Sequence, residues 1–370
     1  MRVDLLRVHN LRCFETVEFA PGPEVNWLVG ENGAGKTTLL EAAYILSHGR
    51  SFRAGGRSAP CRYGASDYLI YAEISRNERW GYRDHRLGLT RRGDRWEARL
   101  DGHDLPALAP LFEVCPVVCF GPESPLLITG PAEERRGFLD WSVFHVEHGS
   151  LDLWRRWRRA LRQRNALLRS SAGAAAFEPW EHDLDRLAAE IHRMRSGCLA
   201  SLEPYVVEEA AAMVPEFGPA RFNYRPGWDE SLSLSEQLAS MRDRDRERGY
   251  TQRGAHRADW SLDFERIARR EHLSRGQAKA AALVCALALV RWLKDRTAQY
   301  PLLCLDDLDS ELDQAHVGKL GDWLAGKPLQ AWITSTSTPE SSRLLPGWRM
   351  FHVEHSRVAP TRGVGSGHRV

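Results

Sequence analysis

The sequence predicts an α/β fold: a mixed sheet around a phosphate loop, an antiparallel β subdomain, and a smaller, mainly helical domain. Three observations predict it. An apolar run at Trp27, Leu28 and Val29 ends in residues 30–37, which match the pattern G-x-x-x-x-G-K-[ST] without a mismatch, and a helical pattern follows at once. Residues up to about 125 read mostly as strands separated by turns. From about 133 to 215 the periodicity is helical, before α/β character returns in the last third.

The phosphate loop fixes the centre. Gly30, Gly33 and Gly35 free the backbone so that N–H groups can converge on one anion. Lys36 brings a cation to the outer phosphates, and the Thr37 hydroxyl is a ligand type for Mg2+. Thr38 opens the helix whose N-terminus faces the same phosphates. The expected nucleotide contacts are therefore Gly30, Glu31, Asn32, Gly33, Ala34, Gly35, Lys36, Thr37 and Thr38.

In chain order, residues 3–9 alternate loosely and read as an edge strand. A second strand covers 17–19, and Pro21-Gly-Pro turns the chain into the phosphate-loop strand. Strands are expected at 68–74, 80–89, 96–100 and 114–120, with a hairpin turn at Asp101-Gly-His-Asp. The helical region holds residues 151–168, with an apolar stripe at Trp157, Leu161 and Leu168, and a second long helix at 184–202. A strand follows at 221–224. Residues 232–248 read as a helix, whose run of alternating arginines and acids from Arg242 suits a solvated face. Buried strands are expected at 301–306 and 329–334, and a frayed tail at 356–370. The resulting division is 1–130, 131–250, 251–355 and 356–370.

Composition bounds the function. The chain has 370 residues, 43% hydrophobic and 27% charged, with a net charge of +2. That balance suits a soluble globular protein and leaves any basic surface local. Seven cysteines, at 13, 61, 115, 119, 198, 285 and 304, include no C-x-x-C and suit reduced thiols in a cytosol. The first seven residues are charged too early for a secretory leader, and the apolar stretch 280–290 is too short to cross a bilayer. FHVEH occurs at 144–148 and again at 351–355. It does not match H-E-x-x-H, so surface histidines are expected rather than a metal site.

Two further motifs narrow the chemistry. Leu302-Leu-Cys-Leu ends in Asp306 and Asp307, an apolar strand carrying two carboxylates at its tip. Asp306 is expected to hold Mg2+ with Thr37, and Asp307 to orient the attacking water. Leu273-Ser274-Arg275-Gly276-Gln277 resembles the ABC-type ATPase signature L-S-x-G-Q, another anion site at a helix start. One nucleotide does not need two γ-phosphate sites in one chain. Ser274, Gly276 and Gln277 are therefore expected to face the ATP held by Lys36 of a second copy. The segment 310–313 resembles the D-loop that crosses such an interface. Lys36, Asp307 and Ser274 are the expected catalytic residues.

With these motifs stand Asn10-Leu-Arg-Cys-Phe, Ser51-Phe-Arg53, the block 133–141, Arg164-Asn165, and Thr251 with Gly254, His256 and Arg257. Over nearly its full length the chain resembles the RecF family, bacterial recombination-mediator ATPases related to the SMC proteins. The resemblance implies an ABC-type ATPase head with a compact helical arm. It implies ATP and Mg2+ as cofactors, and Arg12 as a nucleotide contact. It further implies an ATP-dependent homodimer on DNA, slow DNA-stimulated hydrolysis, and work with RecR and RecO to load RecA at single-strand gaps in the cytoplasm, away from any membrane. No sustained heptads occur between 130 and 250, which agrees with a compact arm.

Two positions depart from the pattern. Val118 stands where a glutamine loop is expected, and Thr334-Ser-Thr-Ser replaces a switch histidine. Candidate DNA contacts are Arg155, Arg156, Arg158, Arg159, Arg162 and Arg164, beside Trp154 and Trp157, with Arg53 and Arg57 as a second group. Arginines in such numbers suit sequence-independent phosphate contact. The alternative is an ABC transporter ATPase subunit. It would place its signature much closer to the phosphate loop than the 238 residues separating Lys36 from Ser274. An SMC-like structural protein would need a long coiled coil, and a nuclease relative an extra acidic metal domain; neither pattern is present.

Overall fold

The computed structural model describes residues 1–53, 60–78, 81–267, 272–337, 347–354 and 357–360. They form two compact units. One joins residues 1–125 to the described residues from 275 onward; the other is 126–274.

The first unit opens with β1 (Arg2–Leu11), β2 (Phe14–Phe19), β3 (Val25–Val29) and α1 (Lys36–His48). Next come β4 (Asp67–Glu78), β5 (Gly81–Arg92), β6 (Arg95–Leu100), β7 (His103–Leu105), α2 (Ala109–Val114) and β8 (Val117–Phe120). Six of these strands make the antiparallel sheet β2-β1-β4-β5-β6-β7. The hairpin turn expected at Asp101 is present, joining β6 to β7. β1 is not an edge strand: it pairs with both β2 and β4. Its alternation reports one buried face and carries no count of neighbours. Val114 closes α2 rather than opening a strand.

The second unit holds α3 (Leu126–Thr129), α4 (Ala132–Val146), α5 (Ser150–Leu168), α6 (Glu178–Met213), β9 (Ala220–Arg225), α7 (Leu234–Ser240), α8 (Arg242–Arg248) and β10 (Asp259–Phe264). The single helix expected over 232–248 is two, α7 and α8. The first starts at a capping box between Ser233 and Glu236. β10 pairs with β9 along its whole length. Residues 251–274 therefore belong to the arm unit, not to the head as the boundary at 250 implied.

The chain then returns to the first unit through α9 (Arg275–Thr297), β11 (Leu302–Leu305), α10 (Leu308–Glu311), α11 (Gln314–Leu324), β12 (Ala331–Ser335), β13 (Arg349–Glu354) and β14 (Arg357–Pro360). The second large sheet has the order β14-β13-β3-β12-β11-β8. All its pairs are parallel except β13 with β14. Residues 357–360 are thus an edge strand rather than frayed tail; 361–370 lie outside the described residues. α9 would span a bilayer by length, but 78% of its most apolar window is buried within the protein. It is a core helix.

The two six-stranded sheets share one apolar core with α1. Val8, Phe19, Ile70 and Leu89 come from one sheet, Leu28, Trp332 and Phe351 from the other, and Leu39, Leu40 and Ile45 from the helix. Phe19 meets both Trp332 and Phe351 edge-on at 5.0 Å between ring centroids. This packing fixes β3 and α1, and with them the loop between.

Candidate nucleotide site

The phosphate loop leaves the C-terminal end of β3, a strand buried along all five residues between β12 and β13. Its backbone needs glycine for two separate reasons. At Gly35 φ is +111°, and a Cβ there would lie 2.4 Å from the Phe14 ring. At Gly30 a Cβ would lie 2.2 Å from the Val353 carbonyl oxygen. Gly35 caps α1 without a side chain, and the first turn carries no acidic residue. The helix N-terminus is thus left open to an anion. Lys36 reaches back over the loop, donating to the carbonyls of Gly30 at 2.6 Å and Glu31 at 2.9 Å. Burial lowers its pKa; Asp307 and Asp306 pull the other way.

Strand order assembles the rest. β12 lies between β3 and β11, so the ends of three strands converge. Asp306 Oδ1 accepts from Thr37 Oγ1 at 2.8 Å and from Thr334 Oγ1 at 2.7 Å. The Thr334 hydroxyl also accepts the Asp307 N–H at 2.7 Å. Burial raises the Asp306 pKa, opposed by the donors Thr334 and Thr37. Among the described residues no hydrogen bond reaches Asp306 Oδ2. A carboxylate oxygen beside a threonine hydroxyl is the oxygen donor set that Mg2+ takes in phosphate-loop sites. Asp307 is held in the left-handed region, φ +52°. That conformation costs a non-glycine residue about 1 kcal/mol and is kept where the surroundings impose it.

Thr334 was not legible as a functional residue. It drew notice only because it is not a histidine. Where the switch histidine is missing, Ser335 and Ser337 both donate hydroxyls to Asp309, the latter at 2.7 Å. Strand β12 is thereby tied to the segment after Asp307. Val118 is buried inside β8, opposite Leu303. Just past that strand, a Cβ on Gly121 would come within 2.9 Å of the Asp306 Cβ, so glycine leaves room for the carboxylate.

The signature residues sit at the start of α9. Ser274 and Gly276 are exposed and Gln277 is half-buried. A Cβ on Gly276 would meet nothing within 4 Å, so nothing in the described chain requires glycine there. One turn on, Lys279 pairs with Glu311 at 3.1 Å and donates to the Ser310 carbonyl at 3.2 Å. The segment that resembles a D-loop is thus fastened to α9.

Arg12 is held against α1. Its guanidinium pairs with Glu41 at 2.6 Å, Glu41 is fully buried, and Ser51 Oγ joins the same carboxylate at 2.5 Å. The family-like segments around Arg12 and Ser51 therefore share one buried acid, Glu41, that spacing alone did not reveal.

The arginine group on α5 divides. Arg155, Arg156, Arg158, Arg159 and Arg162 are exposed, whereas Arg164 is fully buried and cannot contact DNA. It donates to Glu181 at 3.1 Å, Asp245 at 2.7 Å, Thr251 Oγ1 at 2.8 Å and the Leu238 carbonyl at 2.9 Å. Asp245, expected on a solvated face, is buried in this network, and Arg242 pairs with Glu181 beside it. Trp157 is buried, and Trp154 is half-buried with one ring face under the Arg195 guanidinium at 4.8 Å. Arg53 is exposed; Arg57 lies outside the described residues.

Comparisons with known proteins identify the family and the fold. The family model for the RecF/RecN/SMC N-terminal domain matches residues 2–357. A DNA replication and repair protein RecF from Xanthomonas euvesicatoria pv. vesicatoria is 42% identical, over 97% of this chain and 98% of its own length. One from Stenotrophomonas maltophilia is 41% identical, over 97% and 99%. A solved structure of the recombination mediator protein RecF with ATP, in the RecFOR pathway, superposes with a TM-score of 0.86 at 24% identity, covering 98% of each chain. An Smc head domain from Pyrococcus furiosus superposes at 0.55 and 13% identity, over 97% and 96% of the two chains. The chain belongs to the RecF family, within the wider RecF/RecN/SMC group.

Proposed function

We propose that this chain is an ATP-dependent DNA-binding protein of recombinational repair and replication, a slow ATPase whose nucleotide gates a homodimer on gapped or duplex DNA. One observation carries the nucleotide chemistry: Asp306 is held between Thr37 and Thr334 at the mouth of the phosphate loop. The loop N–H groups and Lys36 bind the phosphates. Thr37 and Asp306 would hold Mg2+, which neutralises phosphate charge when bound. Asp307, next to the metal carboxylate, orients the water. Ser274 and Gly276 serve the nucleotide of a second copy; that nothing in the described chain requires glycine at 276 supports this reading. The chain works beside RecO and RecR to help load RecA in the cytoplasm; the relatives' name, DNA replication and repair protein RecF, and the RecFOR pathway named for the solved RecF structures support the repair role. Family membership across nearly the whole chain sets the transporter alternative aside.

The test is sizing with ATP and gapped DNA. The wild type is expected to dimerise only with ATP, and Lys36→Met to stay monomeric. A Lys36→Met protein that dimerises in ATP as the wild type does would overturn the proposal.

A further inference from the structure

On the straight helix α5, residues recur about every 100°. Leu153, Trp157, Ala160, Arg164 and Leu168 are its buried stripe. Arg155, Arg158, Arg159 and Arg162 fall on the opposite side, within an arc of about 100°. All four are exposed, and among the described residues none forms an ion pair. The only carboxylate in α5 is Asp152, at its first turn. Burying Arg164 in its own acidic cage leaves the stretch from Arg155 to Arg162 without an acidic residue, with the exposed Asp152 one turn before it as the only opposing charge in α5.

We infer that this ridge is a docking surface for the phosphate backbone of duplex DNA. The inference rests on the DNA-binding reading above and names the surface that reading lacks. Charge complementarity carries it. Four arginines at i, i+3, i+4 and i+7 have neighbouring Cβ atoms about 5–6 Å apart, over about 10 Å of helix. A duplex presents one phosphate per about 1.7 Å of axis, so each arginine finds a partner. Arginine's planar fork suits phosphate oxygens and keeps its charge at any working pH. The duplex is favoured over a single strand because single-strand binders add stacking on exposed aromatic faces. Trp157 is buried and Trp154 is half-buried with Arg195 over one ring face, so α5 presents no fully exposed aromatic ring. Contact is to the backbone alone and reads no sequence.

The experiment compares wild type, a variant with Arg155, Arg158, Arg159 and Arg162 all changed to Gln, and one with all four changed to Lys. With ATP and Mg2+ present throughout, affinity for a blunt duplex, for a single strand of equal length and for anionic phosphatidylserine vesicles is measured across a salt series. The Gln variant is expected to lose about tenfold or more in duplex affinity, and its slope of log affinity against log salt to become shallower by about 3. The Lys variant is expected to keep most of both. Melting temperature and DNA-free ATP turnover stay at wild-type values, since none of the four touches the core or the nucleotide site. A Gln variant with wild-type affinity and slope overturns the ridge assignment and leaves the DNA-binding reading standing. So does a variant that loses only vesicle or single-strand binding. A wild type that binds no DNA at any salt overturns the DNA-binding reading itself.

Discussion

Replacing Thr334 by Val tests whether the nucleotide site is assembled as its geometry indicates. The two side chains have nearly the same shape, so no cavity opens. What is lost is a hydroxyl that donates to Asp306 and accepts from the Asp307 N–H, both at 2.7 Å, in a residue 1% exposed. A hydrogen bond to a charged group contributes about 1.5–3 kcal/mol, and a buried N–H left unpaired costs about 1–3 kcal/mol. Together they predict a destabilisation of about 3 kcal/mol in urea unfolding. Asp306 already has a raised pKa from burial, and losing its Thr334 donor raises it further. A carboxyl with a raised folded pKa favours the folded state at acid pH. That contribution is lost as pH rises through the folded value. The cost of Thr334→Val is therefore larger at about pH 7 than at about pH 5. A group that orients a metal ligand typically changes metal affinity by about 10–100-fold when removed, so Mg2+-dependent nucleotide binding should weaken at least about tenfold. Thr334→Ser keeps the hydroxyl and should restore most of both. A Thr334→Val protein with wild-type stability and Mg2+ dependence would refute the reasoning.

Gly276→Ala separates folding from assembly. No atom opposes the new methyl within the chain, and alanine is the better helix former by up to about 1 kcal/mol. Melting temperature should hold or rise, while ATP-dependent dimerisation, read by sizing, should fall. Arg164→Met leaves Glu181 and Asp245 buried without their shared cation. Urea unfolding should show a loss of about 3–5 kcal/mol, against less than about 0.5 kcal/mol for Arg158→Met on the exposed side.

Much of the site was legible because the chemistry is local. The loop 30–37 and the strand ending in Asp306 each announce themselves within ten residues. What was hidden depends on partners distant in sequence. Arg164 reads as one more basic residue on a basic helix; only Glu181, Asp245 and Thr251 reveal it as a buried hub. β10 joins the arm because it pairs with β9 more than thirty residues earlier, and neither segment carries that address. The repeated FHVEH makes the point within one chain. Phe144–Val146 close helix α4, whereas Phe351–Glu354 lie in strand β13. Local preferences of well under 1 kcal/mol per residue yield to the packing each copy meets.

The central claim is that each chain carries two halves of different nucleotide sites. The most direct measurement mixes Lys36→Met with Ser274→Arg and follows ATP turnover and dimer formation. Each variant alone should be inactive. The mixed dimer should recover activity, because the intact loop of one chain meets the intact signature of the other. A Ser274→Arg protein that dimerises and turns over ATP at the wild-type rate by itself would contradict the account.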